Sequence, residues 1–158
     1  MAYSSDQSKE ITYKIHKAVF LLDKMSDQIL QHQLGLGFSQ FLVMMTLAHQ
    51  PNVPQKFVAS ALDQTQAAVS RQVDILVDLR LISRETNVES RREYVLCLTK
   101  LGEKMYRKGL KAIDERFDGL FNVWTKNQKS ELLNALEQLI IEIKFKGTEN
   151  ICGKVEKS

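Results

Sequence analysis

Residues 54–79 read Pro54-Gln55-Lys56-Phe57-Val58-Ala59-Ser60-Ala61-Leu62-Asp63-Gln64-Thr65-Gln66-Ala67-Ala68-Val69-Ser70-Arg71-Gln72-Val73-Asp74-Ile75-Leu76-Val77-Asp78-Leu79. The stretch divides at Asp63-Gln64, a polar pair with no helical periodicity of its own. Before it, Pro54 suits the first turn of a short helix running to about Leu62, because the N–H that proline lacks has no partner there anyway. Asn52 or Val53 is the expected N-cap of that helix. After the turn, Thr65 is the expected cap of a second helix, from Gln66 to about Leu79, since its hydroxyl can accept an orphan N–H. Ala68, Val69, Val73 and Leu76 mark the packed side. Two short helices joined by a tight turn are the unit from which the rest is read.

Beyond Leu79 the period changes from that of a helix to that of a strand. Ile82–Thr86 reads as one strand, Asn87–Ser90 as a turn and Arg91–Leu98 as a second strand, with Tyr94, Leu96 and Leu98 alternating onto one face. Thr99 then caps a long helix whose apolar residues Tyr106, Leu110, Ile113, Phe117, Leu120 and Trp124 recur every three or four positions. Thr125–Gln128 has the form of a capping box, and Leu132, Leu136, Leu139 and Ile143 stripe a last helix that gives way to a polar tail after Gly147. On the N-terminal side Ile11, Ile15, Ala18, Leu22, Met25 and Ile29 stripe a helix that continues to about Gln31. Leu34-Gly35-Leu36-Gly37 breaks it. No strand precedes these glycines, so they are not a phosphate loop. A helix apolar on several sides, about Ser39–His49, belongs in a core.

The expected fold class is therefore mainly α with a small β-hairpin (α+β): a winged helix–turn–helix over about residues 37–100, bracketed by helices at about 9–33 and 101–146. A chain of 158 residues, 44% apolar and 26% charged, fits one such domain with an oligomerising extension and excludes a disordered chain. No apolar run reaches the ~18 residues of a membrane span. The first residues are polar, without the apolar core of a signal peptide, so the expectation is a cytoplasmic protein. Net charge is only +3. Residues 52–107 carry nine Lys/Arg against seven Asp/Glu, hardly more basic than the flanking segments. Charge alone does not name a partner.

Cys97 and Cys152 are too far apart for a CxxC pair and read as free thiols. His16, His32 and His49 form no i, i+4 pair, so no metal or other cofactor is expected. No nucleophile–base or paired-carboxylate spacing supports an enzyme.

The order of elements suits double-stranded DNA. The second helix of the pair can enter the major groove with its N-terminal side chains at base edges. That edge offers polar Thr65, Gln66, Ser70, Arg71 and Gln72, with Ala67 and Ala68 small enough for close approach. Gln55 and Lys56 begin the preceding helix, where phosphate can be met. Arg84, Arg91 and Arg92 lie on the hairpin, which can reach the backbone or the minor groove. At these residues the chain resembles the MarR family of bacterial winged-helix transcriptional regulators. Phe41-Leu42-Val43-Met44-Met45 is similar to the family's second helix, and Gln66–Asp74 falls where its recognition helix lies. Leu81-Ile82-Ser83-Arg84, Glu89-Ser90-Arg91-Arg92 and Leu98-Thr99-Lys100-Leu101-Gly102 are similar to the wing and the start of the next helix. The chain departs from the family pattern at four positions. Asp63 and Arg80 stand where glycine is usual, Gln64 where an apolar residue is, and Ser90 where the wing usually has aspartate.

The resemblance implies a homodimer on a palindromic operator, acting as a repressor that a small aromatic or apolar effector releases. It also implies that Ile15, Leu22, Phe117, Leu120, Leu132, Leu136 and Leu139 lie in the subunit interface. The alternative from another class is a winged-helix module for protein–protein contact, its basic wing serving an acidic partner.

Overall fold

Hydrogen-bonded caps fix the ends of the helices Gln55–Ala61 and Gln66–Asp78 and the starts of the helices at Gln66 and Lys100. The computed structural model describes residues 4–86 and 94–152. Among them the elements are α1 (Ser4–Leu34), α2 (Phe38–His49), β1 (Val53–Pro54), α3 (Gln55–Ala61), α4 (Gln66–Asp78), β2 (Ile82–Thr86), β3 (Tyr94–Leu98), α5 (Lys100–Phe121) and α6 (Lys126–Cys152).

Helices α3 and α4 end alike. After α3 the Asp63 N–H reaches the Ser60 carbonyl at 3.2 Å and the Gln64 N–H the Ala59 carbonyl at 2.9 Å. After α4 the Arg80 N–H reaches Val77 at 2.8 Å and the Leu81 N–H reaches Leu76 at 2.9 Å. Both are Schellman closures, in which the residue after the cap turns left-handed so that orphan carbonyls are satisfied. Asp63 has φ 50° and Arg80 φ 59°. These are two of the positions where the sequence departs from glycine, and the left-handed turn is kept without it. Aspartate tolerates that region better than arginine does.

The start of α5 locks the second closure to the sheet. The Thr99 hydroxyl donates to the Arg80 carbonyl at 2.7 Å and accepts the Gly102 N–H at 3.0 Å. The Thr99 N–H donates to the Leu81 carbonyl at 3.0 Å. Gly102 sits so close to the α4–β2 turn that a Cβ there would lie 2.0 Å from the Leu81 carbonyl oxygen. Only a residue without a side chain fits.

The strands form a three-stranded antiparallel sheet in the order β1-β3-β2, with Val53 opposite Leu96 and Ile82 opposite Leu98. The sequence predicts two strands; β1 is the addition. The residue before a proline is pushed to extended backbone, and proline is tolerated at a sheet edge because it has no N–H to offer. Pro54 is accordingly the cap of α3 (φ −69°, ψ 154°) rather than part of its first turn. The expected burial of Tyr94 also fails. Leu96 is buried and Leu98 half-buried, but Tyr94 is 63% exposed, because it pairs with Thr86 at the far end of the ladder, past the reach of the core. Residues Asn87–Glu93, including Arg91 and Arg92, lie outside the described residues.

The chain divides at Glu115/Arg116 into two compact units. In the first, Leu36, Val43, Met44, Leu47, Val58, Val69, Val73, Leu76, Leu81, Ile82 and Leu96 form one buried cluster. Val69, Val73 and Leu76 each contribute about 1.5–3 kcal/mol by leaving water, and they fix which face of α4 points outward. Helix α1 begins at Ser4, a turn and more before the predicted stripe, and ends where Gly35 turns left-handed (φ 68°). The Asp27 carboxylate accepts the Phe38 N–H at 2.8 Å, so α1 helps to start α2. In the second unit the Thr125 N–H donates to Gln128 Oε1 at 2.9 Å and the Gln128 N–H donates to Thr125 Oγ1 at 3.3 Å, the capping box that the sequence predicts. Helix α6 continues past Gly147, where the sequence predicts a polar tail, to Cys152.

Two substitutions at this joint should act with opposite signs. Arg80→Gly relieves the left-handed strain, less the entropy that glycine adds to the unfolded chain, and should stabilise by about 0.5–1 kcal/mol. Gly102→Ala drives a methyl into the Leu81 carbonyl and should destabilise by about 2 kcal/mol or more. Thermal unfolding of the two variants beside the parent measures both; equal midpoints for all three would refute the close packing at Leu81.

Candidate nucleic-acid interface

The pairing of α3 and α4 is positioned by their shared core and by a polar contact at their N-termini. The Gln55 side-chain amide donates to the Gln66 carbonyl at 3.5 Å, a long hydrogen bond from the start of α3 to the start of α4. Thr65 caps α4 as predicted, its hydroxyl accepting the Ala68 N–H at 3.2 Å. The oxygen of Thr65 is thereby committed to the helix as its cap.

With Val69, Val73 and Leu76 turned inward, the opposite face of α4 carries Ala67, Arg71, Asp74 and Asp78, all exposed. Gln66 is also exposed, while Ala68, Ser70 and Gln72 sit at the edge of the packed side, partly covered. The N-terminal half of the outer face is thus neutral to basic, and the C-terminal half is acidic with Ile75 and Leu79 beside it, 43% and 47% exposed. Lys56 is exposed in the first turn of α3.

Arg84 projects from β2 toward α4, where its guanidinium pairs with the Asp74 carboxylate. Both side chains are substantially exposed (37% and 57%), so the pair is worth little to stability, roughly 0.2–1 kcal/mol. Its effect is positional, for it ties β2 to α4. A groove of about 260 Å³ runs between Pro54, Gln55 and Lys56 on one side and Arg84, Tyr94 and Leu96 on the other. Lys56 and the Asp74-paired Arg84 line this groove, and Tyr94 gives it an exposed aromatic ring. Such a groove fits a phosphate–sugar backbone, for which cations and hydroxyls are the usual partners.

The structure therefore links Gln55 to Gln66, lines one groove with Gln55, Lys56 and Arg84, turns Gln66, Ala67 and Arg71 outward, and leaves Thr65 as a cap with Ala68 and Ser70 partly covered. Two residues escaped sequence reasoning. Asp74 is an anion on the outer stripe ten residues before Arg84, and an acid on the face expected to meet phosphate was a signal that it has a cation of its own. Tyr94 carried no signal, because strand alternation assigned it to the core. Among the described residues no three His, Cys, Asp or Glu side chains converge on a metal-sized site. No helix among them is long and apolar enough to cross a membrane.

Comparison with known proteins bears on the same segment. Residues 34–93 match the family model described as MarR family. The chain is 26% identical over 99 residues to an HTH-type transcriptional regulator of Bacillus subtilis, YhbI, a match covering 63% of this chain and 64% of that protein. The match spans a little under two thirds of the Bacillus regulator's length. A second regulator, BilQ of Clostridium symbiosum, is 23% identical over 133 residues, covering 82% of this chain and 91% of that one. The fold is shared with wild-type MarR of E. coli (TM-score 0.75, 19% identity, 81% of this chain and 94% of that one). It is also shared with the repressor CouR, solved on a 23-mer DNA duplex (TM-score 0.74, 20% identity, 89% and 99%). A family match across the helix–turn–helix and the first strand of the wing, two regulators alike in sequence and the common architecture agree: over this segment the chain is similar to the MarR family, and it shares that fold.

Proposed function

We propose that this chain is a homodimeric, non-enzymatic regulator of transcription in the cytoplasm that binds a palindromic double-stranded DNA site. We further propose that it acts as a repressor whose occupancy a small aromatic or apolar effector reduces. The observation that carries the reading is the juxtaposition at one end of the α3–α4 pair. Gln66, Ala67 and Arg71 face outward, and the groove holding Lys56 and Arg84 lies alongside. The helix edge supplies contacts that differ between base sequences, and the groove supplies contacts to phosphate that do not. Arg91 and Arg92 extend the second set in this reading.

Dimerisation is supported by apolar surface that one chain leaves in water. On α1, Val19, Phe20 and Leu21 are 50%, 65% and 53% exposed. On α6, Leu133, Ile140 and Ile141 are 60%, 51% and 57% exposed, with Leu132 and Leu136 at 36% and 37%. Surfaces of this kind on terminal helices mark interfaces. Ile15, Leu22, Phe117 and Leu139 are half-buried and Leu120 is 43% exposed, so the proposed interface extends beyond that stripe to Val19, Phe20 and Leu133. An isologous dimer presents two recognition helices related by a two-fold axis, which is the reason to expect a palindrome.

Binding is tested by titrating salt on one palindromic and one scrambled duplex. Neutralising about six phosphates per dimer gives a slope of log affinity against log salt near −5. Replacing Arg91 and Arg92 together with alanine should weaken binding at least about tenfold and make the slope shallower, because each lost phosphate contact removes about 0.9 from it. Gln66→Ala should alter the preference between duplexes and leave the slope in place. A flat salt dependence on both duplexes would point to the protein-contact module instead.

The dimer is tested separately. Leu136→Asp places a charge where apolar surface is to be covered, and an uncompensated buried charge costs several kcal/mol. Sedimentation should show the parent as a dimer at micromolar concentration and the variant as monomer. A monomeric parent would overturn the dimer.

A further inference from the structure

Within the first unit, a cleft of about 490 Å³ opens between the end of α2, the Pro51–Asn52 loop, strands β2 and β3 and the first two turns of α5. This is the size of a small-molecule site, and no residue of the DNA-facing groove lines it. Its lining has two characters. Leu47, Pro51 and Leu98 supply apolar surface, and Glu85, Glu103 and Arg107 supply charge. Arg107 Nη2 pairs with Glu103 Oε2 at 2.9 Å, which neutralises one carboxylate. Glu85 has no ion-pair partner among the described residues; its neighbour is the Ser83 hydroxyl at 3.4 Å. The lining therefore carries one net negative charge among the described residues, and that charge is centred on Glu85.

The Cys97 thiol reports where the Glu85 carboxylate acts. It lies in the cleft wall, half-buried, donating to Asn52 Oδ1 at 2.9 Å. Burial pushes its pKa above the usual thiol value and the Glu85 carboxylate pushes it further the same way, against a backbone hydrogen bond at Asn52. A carboxylate that disfavours a thiolate inside the cleft disfavours any anion there and favours a cation.

We propose that this cleft binds a small, flat organic cation, an aryl amidinium or aryl ammonium. Its ring lies against Leu47, Pro51 and Leu98 and its charged end against Glu85. An anionic ligand of the same shape is excluded by Glu85, and a hydrophilic metal ion would leave the apolar wall uncovered. The bound cation touches β2 through Glu85, β3 through Cys97 and α5 through the Arg107 side of the cleft. It therefore joins both described wing strands to the helix that leaves them. Any effect on DNA rests on the function proposed above; the binding itself does not.

The test uses Cys97 as an internal reporter in the 158-residue chain. Cys152→Ser leaves Cys97 as the sole thiol, since the chain has two cysteines. Its rate of modification by iodoacetamide is measured with benzamidine, and with benzoate, the anion of similar size and shape. Benzamidine at ten times its dissociation constant should slow the reaction about tenfold, while benzoate leaves it unchanged. Glu85→Gln, with its melting curve checked against the parent, should remove the protection. Absence of protection by benzamidine up to its solubility limit would overturn the proposal. So would equal protection by benzoate, or full protection retained in a folded Glu85→Gln variant. If that variant fails to fold, the comparison of the two ligands on the parent still decides. No arm of the experiment contains DNA, so its outcome and that of the salt titration are read independently.

Discussion

The hydroxyl of Thr99 is the joint on which the arrangement of the winged half depends. It donates to the carbonyl of Arg80 at the end of α4 and accepts the N–H of Gly102 in the first turn of α5. One oxygen therefore fixes the exit of α4, the entry to β2 and the direction of the helix that leaves the sheet. Each of its partners is an orphan backbone group at a helix end, which would otherwise have to find water. Leu81 sits at the centre of this knot. Its N–H closes α4, its carbonyl accepts the Thr99 N–H, and the same carbonyl occupies the space a side chain at position 102 would need. A change at any one of these contacts therefore bears on the end of α4, the entry to β2 and the start of α5 together.

Much of this was legible because it is local. The cap at Thr65, the turn at Asp63 and the box at Thr125 depend on residues within five positions of each other, and short-range chemistry is what a sequence displays. The α4 core positions follow from a period of 3.6. What stayed hidden depends on partners distant in the chain. The short strand Val53–Pro54 exists because β3, some forty residues later, presents an unpaired edge to it. Tyr94 obeys the alternation of its strand and is still exposed, since alternation says which face a side chain takes and not how far the core extends beneath that face.

The candidate interface was legible in its types of residue and less so in its wiring. A basic and polar cluster around the α3–α4 turn can be named from the sequence, but the Asp74–Arg84 pair cannot, because it joins two elements whose relative orientation is set by the Thr99 knot. In the same way the terminal helices announced apolar stripes, yet Val19, Phe20, Ile140 and Ile141 stand outside a strict heptad. A stripe marks the centre of a face that another surface is to cover; the width of that face depends on the shape of the surface laid over it.

The outer stripe of α4 changes sign along its length, from Ala67 and Arg71 to Asp74 and Asp78. Against a polyanion such a helix has a preferred inclination. Its first two turns are drawn in and its last turns are held off, because the carboxylates and the neighbouring Ile75 and Leu79 gain nothing from phosphate. Lying flat along a groove would bring both acids to the rails of the duplex, whereas entering end-first keeps them outside. In the DNA-binding reading proposed above, the helix acts as a probe with one working end, and the reach of its readout is limited to the few base pairs that two turns can touch.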